Sequence, residues 1–267
     1  MKRLLILSAG ALGAFLTSAR AHDTWLIPDR FEVAPKAVVT LDLTSGMAFP
    51  RLETGPKRER VQTAPCRLAG HTFEMSDILA GPNSLRFKAE LPEAGVAIFW
   101  VKLPPKSIEL KPAEVQEYLD EIDAPASLRK QWAEMEPKRW REIYTKHPKT
   151  FVRVGDPKAD RSWAEPAGMA LEIVPEKDPT TLHEGDEIVV RVLKNDAPYA
   201  NFSLNAVAAG ETKGETRKTD SAGRVAFRLG KAGAWLLRGT DVRKSTQPDA
   251  DWESDFATLT LKVGQKI

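Results

Sequence analysis

The sequence predicts a mainly β protein: two antiparallel β-sandwich-like domains, the C-terminal one immunoglobulin-like, joined by a short helical insertion. Three observations predict it. Short runs rich in β-branched and aromatic residues recur through both halves, separated by Gly, Pro, Asn and Asp. One run, Val96-Ala97-Ile98-Phe99-Trp100-Val101, is continuously apolar, as a strand buried on both faces requires. The alternation of strands and helices that builds a parallel doubly wound sheet is missing.

The chain has 267 residues. Its first 21 read as an export leader. Lys2-Arg3 precede an apolar stretch from Leu4 to Leu16, and Ala19-Arg20-Ala21 is the small-x-small pattern read by signal peptidase. The stretch is too short for a membrane span. The leader carries three basic residues and no acid, so a formal charge of +2 becomes −1 on its removal. Neither nucleic acid nor a membrane span is implied for the mature chain. The single cysteine, Cys66, excludes an internal disulfide and reads as a buried apolar residue. These features place the protein in a Gram-negative periplasm.

Residues 22–103 form the N-terminal β domain, with strands at Val38 to Leu43, Leu85 to Ala89 and Val96 to Val101. Residues 104–149 form the helical insertion. Val115, Tyr118, Leu119 and Ile122 fall at i, i+3, i+4 and i+7, one apolar face of a helix that starts after Pro112. Asp123-Ala124-Pro125 ends it and opens a second helix carrying Leu128, Trp132 and Met135. Pro137 interrupts again before Trp140, Ile143 and Tyr144. Residues 150–267 form the C-terminal sandwich, with strands at Leu171 to Val174, Glu187 to Leu193, Phe202 to Val207, Val225 to Leu229, Trp235 to Gly239 and Phe256 to Val263. Trp235 and Trp252 read as core anchors, and the carboxylates from Asp249 to Asp255 as an acidic loop before the last strand.

An ordered series of residues carries a family resemblance. It runs Leu171-Glu172-Ile173-Val174-Pro175, Asp178-Pro179, Gly185-Asp186, Asp220 with Gly223-Arg224, Ala232-Gly233-Ala234-Trp235-Leu236, and Asp251-Trp252-Glu253. With the start Ala21-His22-Asp23-x-Trp25, it resembles the DUF4198 family of exported bacterial proteins. The resemblance implies a periplasmic role in handling divalent transition metals, related to the extracytoplasmic parts of nickel and cobalt uptake systems. An inner-membrane metal transporter or another envelope protein is the implied partner. Relatives carry a histidine just after the Gly-x-Trp-Leu strand, where this chain has Thr240-Asp241.

Cleavage after Ala21 would make His22 the first residue. Its free α-amine and imidazole can chelate one metal ion, since both lose their protons readily near neutral pH. Nitrogen donors of this kind favour copper or nickel over magnesium and calcium. The four histidines, His22, His71, His147 and His183, form no HxH, HxxxH or HExxH spacing, so the fold must bring other ligands to His22. His71 is the first candidate, and Asp23 and Asp241 are candidate oxygen ligands. His147 reads as a helix-end residue and His183 as a turn residue. The G-x-S-x-G elbow, the P-loop and the dinucleotide fingerprint are missing. The expectation is a non-enzymatic periplasmic binder of nickel, cobalt or copper. Its alternatives are an envelope interaction module without metal, and a copper oxidase built on a histidine brace.

Overall fold

Alternation builds the N-terminal half. In β3 (Ala37–Gly46), Val39, Leu41 and Leu43 point inward and are fully buried, while the residues between them face out. β3 pairs antiparallel with β1 (Asp23–Pro28), which precedes it across the two-residue β2 (Glu32–Val33). β4 (Pro65–Leu68), β5 (His71–Glu74), β6 (Ser76–Ala80), β7 (Leu85–Leu91), β8 (Gly95–Trp100) and β9 (Lys106–Leu110) follow. The computed structural model describes residues 22–157 and 160–266, so the leader reading, on residues 1–21, lies outside the described residues.

Two helices come next, α1 (Pro112–Glu121) and α2 (Ala126–Ala133). Pro112 opens α1 at the position where a missing N–H costs nothing, and the Glu114 carboxylate accepts the Lys111 amide 2.9 Å away. Asp123, at φ +49°, turns the chain out of the helix. Val115, Tyr118 and Leu119 bury the predicted face.

The helical reading does not extend to residue 149. β10 (Trp140–Val154) is a 15-residue strand through the centre of the molecule. Ile143, Tyr144, Thr145, Thr150, Phe151, Val152 and Val154 suit a pleated surface better than a helix. Pro148 is tolerated because it falls in a gap between antiparallel partners: β9 ends opposite Tyr144 and β8 begins opposite Phe151. The remaining strands are β11 (Leu171–Pro175), β12 (Glu187–Lys194), β13 (Ala197–Pro198), β14 (Ser203–Ala208), β15 (Glu215–Lys218), β16 (Arg224–Arg228), β17 (Gly233–Lys244) and β18 (Trp252–Val263).

These strands form three layers. The middle is a ten-stranded sheet in the order β15-β14-β17-β18-β10-β8-β4-β5, with β2 and β9 also paired to β10. The β10–β18 ladder is parallel, an exception within the antiparallel plan. One outer sheet, β1-β3-β7-β6, covers the N-terminal end, and the other, of β11, β12, β13 and β16, covers the C-terminal end. β8 serves both cores. Its Ala97 and Phe99 join the first core, and its Val96, Ile98 and Trp100 join the second. The two sandwiches thus share a sheet, which accounts for the continuous apolar run of β8. A third cluster packs Val115, Tyr118, Leu119, Leu128 and Trp132 of the helices on Trp140, Trp252 and Phe256 of the middle sheet. Trp140 stacks on Trp252 at 4.6 Å between ring centroids.

A candidate metal-capture cleft at the head of the first strand

β1 lies across the middle sheet and is pinned along its length. Trp25 is buried against Phe49, Val207 and Leu236, its ring edge-on to Phe49 at 5.6 Å. The Thr258 hydroxyl donates to the Thr24 carbonyl at 2.6 Å, and Arg238 of β17 donates to the Asp23 carboxylate. One residue earlier, the Lys146 ammonium of β10 donates to the His22 carbonyl at 2.6 Å. Lys146 rests over the rings of Tyr144 and Phe256, and burial lowers its pKa to about 8, an effect that the nearby Asp23 charge opposes. Partly buried His22 is therefore positioned by its backbone, not left trailing.

Next along the strand, Asp23 borders a cleft of about 410 Å³. Met47, Asp120 to Asp123 at the end of α1, and Arg238, Thr240 and Phe256 of the middle sheet also line it.

The structure brings together only part of the predicted ligand set. His22 and Asp23 lie together, but the Asp23 carboxylate is engaged by Arg238. His71 is exposed on β5, at the far edge of the middle sheet. Its register through Leu68 and Ala97 sets it level with Val152 on β10. That is six residues along the strand from Lys146, or about 20 Å, and three strands away. His71 thus does not reach His22. Asp241, which is 7% exposed, lies in an adjoining cleft lined also by Lys194, Tyr199 and Arg243. There it accepts from Lys194, Tyr199 and Arg243. Burial and the Asp241 charge push the Tyr199 phenol up. Among the described residues, no three His, Cys, Asp or Glu side chains converge as a metal cage.

Other residues correct the sequence reading. His147 is not at a helix end: it sits buried in β10, its Nε2 2.8 Å from Asp255. Burial pushes the Asp255 carboxyl up, but bonds from His147 and Arg243 outweigh it and hold the pKa below the ordinary range. The acidic segment is half strand, and its charges are spent on arginines. Asp251 accepts from Arg139 and Arg141, and Glu253 and Asp255 accept from Arg243. His183 is the predicted turn residue, its amide bonded to Asp186. Cys66 is buried, and burial pushes its thiol up, away from the ligating thiolate. Sequence reasoning missed Lys146, Arg238 and Met47.

Fold and cleft define a mainly β protein of two sandwiches on a shared sheet, with a polar cleft at the head of its first strand. A family described as "Domain of unknown function (DUF4198)" matches residues 19–240, and the chain belongs to that family. No curated protein matches it. Among solved structures, the D0-D1 domain of intimin is 15% identical, with 89% of this chain and 97% of that one covered, at a TM-score of 0.23. The Escherichia coli adhesin FdeC is 15% identical over 92% of this chain and 64% of its own, at 0.24. The Yersinia pseudotuberculosis adhesin InvE is 11% identical over 89% and 58%, at 0.22. At such scores these likenesses carry no argument about function.

Proposed function

We propose that this protein is exported to the periplasm, where it captures a divalent transition metal ion as cargo. The α-amine and imidazole of His22, exposed as a chelating pair by leader removal, take the ion, and the protein serves nickel, cobalt or copper uptake or homeostasis. It acts as a carrier without turnover, handing its ion to a membrane transporter or another envelope protein. The observation that carries this reading is the placement of His22. Its carbonyl is held by Lys146 at the head of a strand that is itself pinned through Asp23, Thr24 and Trp25. A chelate built on so fixed a backbone loses little conformational freedom on binding. The donors fit an ion that selects nitrogen, because the nearest carboxylate, Asp23, is neutralised by Arg238. His71 has no part in it.

The test is calorimetric titration of nickel, cobalt, copper and zinc into protein processed in cells, with its first residue verified by mass spectrometry. Stoichiometric binding to the processed chain, weakened at least about tenfold in His22→Ala and in a chain retaining its leader, is expected. Failure of correctly processed protein to bind any of the four ions would refute the carrier reading.

A further inference from the structure

We propose that the unpaired edge of β17 takes up an extended peptide segment of another protein as an added strand. The segment is acidic at its N-terminal end and basic at its C-terminal end. The inference goes beyond the His22 chelate and does not depend on it.

β17 is paired unevenly. β18 pairs with it from Gly233 to Lys244, but β14 pairs only with Trp235 to Arg238. Beyond that point β14 parts from it. The Phe202 ring lies against Gly239, where a Cβ would stand 2.5 Å from it, and Asn201, at φ +56°, turns the preceding chain. Among the described residues, Gly239 to Lys244 therefore have no backbone partner on the side that β14 leaves.

That side is a cleft. Thr240, Asp241, Val242, Arg243 and Lys244 line about 390 Å³ of it in unbroken succession. Val242 packs on the helical cluster, whereas its neighbour Asp241 accepts from Lys194 of β12. Successive residues of a strand point to opposite faces, so a cleft that all five line runs along the strand's edge. An edge sunk between walls is closed to a flat sheet but open to a single strand, whose main-chain bonds supply affinity.

Charge selects the strand. This cleft and the one that Asp23 borders share Asp123, Ser203 and Thr240, so they form one groove along β17. From Arg238 in the first to Lys244 in the second is about 20 Å of strand. Four carboxylates and two cations line the first cleft, and four cations and two carboxylates line the second. Both neighbours of β17 run antiparallel to it. A strand added in the same sense enters by the basic cleft and ends in the acidic one, which sets the order of its charges.

The probe is a fluorescein-labelled peptide with blocked ends, Glu-Glu-Thr-Val-Thr-Val-Lys-Lys, titrated by anisotropy in about 0.15 M salt. Its counterpart with the charges exchanged, Lys-Lys-Thr-Val-Thr-Val-Glu-Glu, is expected to bind about tenfold more weakly or worse. Methylating the backbone nitrogens of the first peptide should weaken it by a similar factor, because an added strand needs those donors. Hydrogen exchange of the Gly239 to Lys244 amides should slow on binding. Lys218→Glu with Lys244→Glu, both exposed, should reverse the preference between the two peptides. Absence of saturable binding, undiminished binding of the methylated peptide, or unchanged exchange at Gly239 to Lys244 would overturn the proposal. His22→Ala should bind the peptide as wild type does, so that failure of either reading leaves the other standing.

Discussion

Replacing Tyr118 by Phe should destabilise the protein by an amount that depends on pH, because it removes one of three donors from a buried carboxylate. Glu142 is 2% exposed. Its Oε1 accepts from the Tyr118 hydroxyl at 2.9 Å and from Ser254, and its Oε2 accepts from the Trp140 indole N–H at 2.6 Å. Burial pushes the Glu142 pKa above the ordinary range, against the lowering effect of these three bonds. A folded value above the unfolded one means that this group's contribution is fully present below about pH 4 and lost as pH rises through the folded value. The Tyr118 bond limits that loss, so its removal hurts most where Glu142 is ionised. A hydrogen bond to a charged group contributes about 1.5–3 kcal/mol, and one to a neutral acid about 1. The substitution should therefore cost about 2 kcal/mol on the alkaline side of the folded pKa and about half that near pH 4. In a chain of this size, 2 kcal/mol lowers Tm by about 4–8 °C. Urea unfolding read by tryptophan fluorescence is the assay, since Trp140 donates to Glu142 and stacks on Trp252. A loss of equal size at both pH values would refute the assignment of the bond to the ionised carboxylate. No loss at either would refute the bond itself.

Two further substitutions probe the charges around the middle sheet. Lys149→Met strands the Glu172 carboxylate, whose partner lies 2.6 Å away with both side chains at most 3% exposed, and should cost about 3–5 kcal/mol in urea unfolding. Adding Glu172→Leu should not restore stability, because Glu172 also accepts the amides of Ala167, Gly168 and Met169. Recovery to wild-type stability would show that those amide bonds contribute nothing. Asp251→Asn should cost about 1 kcal/mol at neutral pH, discounted because its partner Arg139 is largely exposed. Burial pushes the Asp251 carboxyl up, but bonds from Arg139 and Arg141 outweigh it and hold the pKa well below the ordinary range. That stability is present above about pH 4 and lost as pH falls through the folded value. The gap between variant and wild type should close in acid, and a constant gap from pH 7 to pH 2 would count against the assignment.

The parts of the fold legible in the sequence were those whose partners are local or whose pattern is periodic. The apolar run of β8 announced burial on both faces, and it packs into two cores. The spacing of Val115, Tyr118 and Leu119 announced α1, whose capping residues lie within its own first turn. β10 was not legible, and its first ten residues were read as part of the helical insertion. Trp140, Ile143 and Tyr144 also fit helical spacing, and Glu142, Lys146, His147 and Lys149 look like a solvated face. Apart from Trp140, which donates to Glu142 from two residues away, their partners sit 23 to 124 residues away, so no short window displays most of the compensation. The candidate site was half legible for the same reason. His22 and Asp23 were legible as the residues after the expected cleavage point, whereas Arg238, which engages Asp23, lies 215 residues away. Asp241 looked available because Lys194 and Tyr199, its partners, lie on other elements.

The buried polar side chains of β10 have a common logic. Between them they tie β10 to four elements: Glu142 holds α1 and β18, Lys146 holds the head of β1, His147 holds β18, and Lys149 holds Glu172 of β11. Burying such groups costs desolvation that their partners only offset, so their net contribution to stability is small. What they supply is discrimination. A β1 shifted by one residue would turn its apolar face outward and leave Lys146 without the His22 carbonyl. The same shift would part Asp23 from Arg238. Apolar packing alone, through Trp25 and Leu26, tolerates small slides that these bonds do not. The polar hub of the middle sheet thus fixes where the first residue of the described chain stands, and with it the geometry of any ion held there.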